Sequence, residues 1–290
     1  MPELPEVEVT RRKLEPHVLG RTIRAVLTTR PSVFFLTPPH VLRRELPGHR
    51  ISVLRRFGKY LVAELDDERR LVLHLGMTGQ LFAHRAAVPA ILARPPSRGA
   101  PRAAPLPAPD RHTHLRLQFT DAGPEVWFRD TRKFGRVRLL ARVQADPRLD
   151  KLGTDALQAR GLDLFEACHR RRIPIKVLLL DQTVLAGVGN IYADEALFAA
   201  GIRPTRRACR LTRSDCDRVV AALRRIMHRS IRSGGTTVSD YLDPDQRFGR
   251  YQLALRVYGR SGEPCWHCRE PVSRLVLGQR STHFCRCCQK

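Results

Sequence analysis

The chain has 290 residues, enough for two domains with hydrophobic cores. Its 52 Lys and Arg against 28 Asp and Glu give a formal charge of +24, a field suited to polyanions, among which nucleic acid is the commonest partner. It contains no signal-peptide pattern and no apolar run of about 18 residues, which argues against a helical membrane span and predicts a soluble, cytoplasmic protein. Of the 52 cations, 46 are arginine. Genome base composition alone can generate that bias, so charge only supports the reading. The same bias makes the six lysines informative, because lysine transfers a proton where arginine does not readily do so.

The chain opens Met1-Pro2-Glu3-Leu4-Pro5-Glu6. Removal of Met1, chemically easy before a small residue, leaves Pro2 as a secondary amine. An α-amino group titrates at about 7.7–8.0, so a useful fraction is nucleophilic near neutrality. Such an amine attacks a carbonyl-type carbon and forms an iminium, and Glu3 and Glu6 set carboxyl groups beside it to move protons. The same residues also suit an ordinary first helical turn, proline by its missing donor and the acids by the helix dipole. On these six residues alone both readings stay open.

An approximate apolar stripe predicts a helix over residues 3–19, ending before Gly20. Short β-type runs follow at 22–28, 33–36, 51–56, 60–65, 71–75, 114–119, 125–128 and 137–140, with a helical piece near 41–46. Many short strands broken by Gly, Pro and Asp predict a two-layer β-sandwich or barrel. Inside it, 20 of the 27 residues over 85–111 are Pro, Ala or Arg, which reads as a basic insertion between strands.

From about residue 150 the pattern turns helical, at 162–169, 174–180, 191–200 and 213–232. The connection Leu185-Ala-Gly-Val-Gly-Asn-Ile-Tyr192 sets two glycines ahead of a helix, where backbone approaches a phosphate and Asn190 can cap the helix start. It lacks the Gly-Lys-Ser/Thr ending of a mononucleotide loop. Beside the basic run His169-Arg-Arg-Arg172 and Lys176, a grip on DNA phosphate is favoured over a plain glycine turn. Near the end, Cys265-x2-Cys268 and Cys285-x2-Cys288, sixteen residues apart, have the spacing of one four-cysteine zinc site, with Cys287 outside the set. In a reducing compartment such pairs read as ligands before disulfides. The runs 272–277 and 282–284 predict a hairpin with Arg280 at or near its tip, too small to order itself without metal.

Taken in order, Met1-Pro-Glu-Leu-Pro-Glu-Val-Glu8, His74-Leu-Gly-Met-Thr-Gly79, Asp130-Thr-Arg-Lys-Phe-Gly135, Gly187-Val-Gly-Asn-Ile-Tyr-Ala193, Gly234-Gly-Thr-Thr237, Val257-Tyr-Gly-Arg260 and the cysteine quartet resemble the bacterial formamidopyrimidine-DNA glycosylase family. The resemblance covers nearly the whole chain. It implies an α+β fold with an N-terminal β-sandwich and long N-terminal helix (1–145), a helix–two-turns–helix domain (150–240) and a C-terminal zinc ribbon (245–290). It further implies a monomer that excises oxidised purines from damaged double-stranded DNA lying between the two main domains, then cleaves the abasic strand by β/δ-elimination. By resemblance Pro2 is the Schiff-base nucleophile and Glu3 the proton donor. Lys59 matches the lysine of β-elimination, and Arg280 the arginine of δ-elimination and phosphate binding. Met77, Arg132 and Phe134 match the residues that fill the void left when a base is extruded from the stack, and His112, Arg171 and Asn190 match DNA contacts.

Two departures bear on base preference: the long insertion, and Phe248-Gly-Arg-Tyr-Gln252 where many relatives read Gly-Tyr-Phe. Leu4 favours this family over the related endonuclease VIII type, which removes oxidised pyrimidines and usually begins Met-Pro-Glu-Gly. A non-catalytic zinc-ribbon DNA-binding protein accounts for the charge and the cysteines, but not for Pro2 and Glu3.

Overall fold

The computed structural model describes residues 2–84, 109–142 and 144–290, so the 85–111 insertion lies almost wholly outside the described residues. The chain forms two compact units, one of residues up to Pro147 with Ser233–Leu253, the other of Arg148–Arg232 with Ala254–Lys290. Residues 233–253, expected to close one domain and open the next, therefore pack with the N-terminal unit.

In the first unit, helix α1 (Leu4–Leu14) precedes β1 (Ile23–Thr28), α2 (Pro39–Glu45), β2 (Ile51–Phe57), β3 (Tyr60–Leu65), β4 (Arg70–His74), β5 (Gly79–His84), β6 (Thr113–Phe119), β7 (Glu125–Asp130) and β8 (Arg136–Leu140). The strands make two four-stranded antiparallel sheets, ordered β1-β6-β7-β5 and β2-β3-β4-β8. Alternate residues of a strand share a face. Leu61, Ala63, Leu65, Leu71 and Leu73 of one sheet thus meet Leu115, Leu117, Phe119, Val126 and Phe128 of the other in a single core. Val7 and Leu14 bring α1 onto that core, in contact with β2 and β3 of one sheet and β5 of the other.

Helix α1 is shorter than the 3–19 stripe. Pro16 cannot continue an α-helix without losing a hydrogen bond, and the chain tightens into a 3-10 turn over Glu15–His17. The apolar run at 33–36 is not a strand either. Phe34 is fully buried and packs against Phe35, His114 and Phe128, with ring centroids 5.0, 5.1 and 4.7 Å away. Its hydrophobicity plugs the sandwich instead of marking a ladder.

The second unit holds α3 (Pro147–Asp150, at the junction), β9 (Thr154–Asp155), α4 (Gly161–Cys168), α5 (Ile175–Leu180), β10 (Leu185–Ala186), α6 (Asn190–Ala200) and α7 (Arg213–Arg232), then the hairpin β11 (Ser273–Leu277) and β12 (Arg280–Phe284). Helix α7 buries Cys216, Val219, Val220, Leu223, Ile226, Met227 and Ile231 along one face, an amphipathic pattern, and packs on α4 and α6. Its start is capped reciprocally: Thr212 N–H donates to Asp215 Oδ2 at 2.9 Å and Asp215 N–H to Thr212 Oγ1 at 3.1 Å. Among the described residues no helix is long and apolar enough to cross a membrane.

Candidate active site and nucleic-acid surfaces

Pro2 and Glu3 are both buried at the start of α1. Glu6, one turn on, organises what surrounds them. Its Oε2 accepts the Glu3 backbone N–H at 2.9 Å, and its Oε1 accepts that of Thr236 at 2.8 Å. The Tyr241 hydroxyl donates to the Glu6 carbonyl at 3.1 Å. One carboxylate thus holds both the chain start and the 233–253 segment. The fit needs glycine at 235, since a Cβ there would stand 3.2 Å from Glu6 Cγ and 3.0 Å from Tyr241 Cε1 at a φ of +87°. At the other end of α1, Lys13 Nζ lies 2.5 Å from Asp243 Oδ2 and 2.8 Å from Asp245 Oδ2, while Gln80 Nε2 donates to the Asp240 carbonyl.

Lys59 is buried in the turn between β2 and β3. Arg56 braces that turn by donating to the Gly58 carbonyl at 3.1 Å and to Glu8 Oε2 of α1 at 3.0 Å. Glu8 also accepts from Arg12 at 2.7 Å and Arg11 at 3.2 Å. Pro2, Glu3 and Lys59 are therefore carried by elements cross-linked to one helix.

The Met77 turn and the Thr131–Phe134 loop form a second cluster. The fully buried Asp130 carboxylate accepts Thr78 Oγ1 (2.5 Å), Arg132 N–H (3.2 Å) and Gly135 N–H (2.6 Å). A Cβ on Gly76 would overlap the Phe134 and Gly135 backbone, so the two loops meet without room between them. Phe134 is 45% exposed, and the Arg132 guanidinium stands 4.5 Å over its ring. Met77 is half-buried. Asp110 fixes His112 by accepting its backbone N–H at 3.0 Å.

In the second unit Asn190 is the first residue of α6, not its cap. Gly189 takes that place, and Asn190 Nδ2 donates to the Ser281 carbonyl at 2.9 Å, spanning from α6 to the hairpin. Lys176 corrects the sequence reading. Its neighbours in the chain group it with a phosphate grip, yet it is fully buried, with Nζ 2.6 Å from Asp194 Oδ1, 2.8 Å from the Ser281 carbonyl and 2.9 Å from Thr282 Oγ1. Its charge is spent inside the protein. Arg171 is exposed, with Asp181 Oδ2 3.4 Å from Nη1. Arg280 is exposed next to the hairpin tip, where Gly278 and Gln279 take φ of +52° and +61°, as a two-residue turn of the type I′ kind requires.

At the hairpin's other end the Sγ atoms of Cys265, Cys268, Cys285 and Cys288 all lie within 4.8 Å of one another, with Cys265–Cys288 at 3.9 Å and Cys268–Cys285 at 3.4 Å. A tetrahedron with Zn–S bonds of about 2.3 Å has edges of about 3.8 Å. His267 and Cys288 each aim a backbone N–H at a cysteine sulfur 3.5 Å away, Cys265 and Cys285 respectively, which favours thiolate. The four residues fit one structural zinc, and Cys287 is exposed outside the set.

Sequence reasoning missed Thr236, Tyr241, Asp243 and Asp194. The Gly234-Gly-Thr-Thr237 motif pointed toward Thr236 and Tyr241, and the retained lysines Lys13 and Lys176 toward Asp243 and Asp194.

Family models match in three consecutive blocks: the formamidopyrimidine-DNA glycosylase N-terminal domain over residues 1–137, its H2TH domain over 152–241, and a zinc finger found in FPG and IleRS over 262–290. The formamidopyrimidine-DNA glycosylases of Acidovorax sp. and Thioalkalivibrio sulfidiphilus are 43% and 41% identical over the full length of both chains. The crystal structure of the MutM (Fpg) protein from Thermus thermophilus superposes with a TM-score of 0.83 at 38% identity, over 99% of this chain and 98% of that one. A mutant of Lactococcus lactis Fpg, in complex with Fapy-dG-containing DNA, does so at 0.84 and 32% identity over all of both chains. With its sandwich, helical unit and four-cysteine finger in that order, the chain belongs to the formamidopyrimidine-DNA glycosylase family.

Proposed function

We propose that this DNA glycosylase excises oxidised purines, 8-oxoguanine and formamidopyrimidines, from duplex DNA and then cleaves the abasic strand. The observation that carries the reading is the double grip of Glu6 on the Glu3 and Thr236 amides. It fixes the amine-bearing start of the chain against a segment able to enclose an extruded base.

Once Met1 is removed, the Pro2 nitrogen attacks C1′ of the damaged nucleotide. The C1′–base bond breaks, its electron pair leaves on the base, and Glu3 supplies a proton. Loss of the amine proton and opening of the sugar ring give an iminium at C1′. Removal of a 2′ proton then expels the 3′ phosphate, and a second elimination expels the 5′ phosphate. Hydrolysis of the remaining iminium regenerates Pro2. Lys59 moves protons in the first elimination, and Arg280 stabilises the phosphate leaving in the second. Met77, Arg132 and Phe134 fill the vacated stack, while His112, Arg171 and Asn190 position phosphates. Zinc, when bound to the four cysteines, orders the finger that carries Arg280.

Borohydride reduction of a mixture with abasic duplex tests the chemistry: the Pro2-terminated chain should become covalently trapped and a chain retaining Met1 should not. Excision from 8-oxoguanine duplex tests the substrate. A solved complex of Lactococcus lactis Fpg contains an oxidised pyrimidine, so a pyrimidine-lesion duplex belongs in the same assay. Preference for it would move this chain to the endonuclease VIII-like reading.

A further inference from the structure

Trp266 stands between two zinc-ligand positions, and 48% of its surface is exposed. Two guanidinium groups lie over its ring, Arg256 at 4.4 Å and Arg260 at 4.7 Å from the centroid. The two arginines differ. Arg260 is committed internally, to Glu263 Oε2 at 2.8 Å and to the Arg256 and Pro264 carbonyls at 2.6 and 2.9 Å. Among the described residues the Arg256 guanidinium has no carboxylate or carbonyl acceptor.

Its backbone, by contrast, is locked. Glu195 of α6 accepts the N–H groups of Arg256, Val257 and Tyr258 at 2.9–3.0 Å. A cation with a fixed root, a stem steadied by an indole face and unused donors is preorganised for an anion. The nearby carboxylate of Glu263 is already paired with Arg260, and the knuckle adds exposed Arg269 beside exposed Glu270, so the patch stays positive.

We propose that Arg256 and Trp266 form a further DNA contact, to a backbone phosphodiester flanking the damaged nucleotide. The position rests on the reading that Arg280 grips phosphate at the lesion. The hairpin pairs Leu277 with Arg280 near its tip and Ser273 with Phe284 at its base, beside the zinc cysteines. Those four steps span about 13 Å. At 3.4 Å per base pair along a strand, that reach keeps the contact within about four base pairs of the lesion. The contact reads no sequence, and it anchors the finger on undamaged backbone.

Methylphosphonate substitution, which neutralises one phosphate at a time on both sides of an abasic-site analogue, tests the contact in the full-length zinc protein. Neutralising one flanking phosphate within about four base pairs should weaken wild-type binding yet leave Arg256→Gln binding no weaker than before. The slope of log K against log salt should fall in magnitude by about 0.9 in that variant, as for one lost phosphate. Trp266→Phe should keep the coupling and Trp266→Ala should lose it, with zinc content measured in each to separate an unfolded finger from a lost contact. No flanking phosphate coupled to Arg256, together with an unchanged salt slope, would overturn the proposal. Borohydride trapping of wild type on abasic DNA judges the functional reading separately, since it involves neither residue directly.

Discussion

Lys176 Nζ and Asp194 Oδ1 are 2.6 Å apart, and neither side chain reaches solvent. The other Asp194 oxygen accepts the His283 backbone N–H at 2.9 Å, so α5, α6 and the finger hairpin meet at one ion pair. Removing one partner of a buried pair strands the other charge, at a cost of about 3–5 kcal/mol. Lys176→Met should therefore lower the unfolding midpoint and speed zinc release to a chelator. A variant of wild-type stability whose DNA binding alone is weaker would restore the phosphate-grip role.

Much of the fold was legible because it rests on local periodicity. The alternation of Leu61, Ala63 and Leu65 marks a strand whatever lies beside it, and the cysteine spacing marks a metal site without its ligand geometry. What stayed hidden depends on partners distant in sequence. Lys176 and Lys13 look alike as isolated cations, yet one is sealed against Asp194 and the other reaches Asp243. Residues 233–253 carry no period at all. Glu6 and Lys13, 230 residues away, and Gln80 tie them to the first unit.

Glu6→Gln tests the double grip. A carboxamide offers one acceptor where the carboxylate used two, so the Glu3 or Thr236 N–H loses its bond to residue 6, at about 1–3 kcal/mol. We expect faster limited proteolysis within 233–253 and slower excision of 8-oxoguanine. Unchanged cleavage and excision would show that Glu6 holds neither segment in a way that matters.

The zinc assignment predicts about one metal per chain. Cys265→Ser should reduce that occupancy, whereas Cys287→Ser should leave it intact. Metal analysis of the two purified variants decides the set, and loss of zinc on changing Cys287 alone would redraw it.

Acid should loosen the attachment of α1 to the β2–β3 turn. Burial acts to raise the Glu8 pKa, but hydrogen bonds from Arg11, Arg12 and Arg56 outweigh it and hold the carboxyl below its ordinary value. A depressed carboxylate pKa contributes stability above the unfolded value, about 4.3, and that contribution disappears as pH falls through the folded value. The stability gap between wild type and Glu8→Gln should thus be full at pH 7 and shrink steadily below about pH 4. A gap independent of pH would mean that charge at Glu8 contributes nothing.

The Pro2 amine and the Glu3 acid have separable roles. Pro2→Gly keeps a terminal amine, primary and less constrained, so some trapping should survive. Retaining Met1 displaces the nucleophile and should abolish it. Glu3→Gln preserves shape and removes proton transfer. Excising an oxidised base requires a proton as the C1′–base bond breaks, whereas an abasic sugar has already lost its base and opens with less acid help. General acid catalysis typically contributes about 10²–10⁴-fold. Glu3→Gln should accordingly lose activity on 8-oxoguanine duplex by a factor in that range, and lose much less on abasic duplex. Single-turnover rates on the two substrates measure the difference directly. Equal losses on both would remove Glu3 as the acid of the excision step, and full activity with Met1 in place would remove Pro2 as the nucleophile.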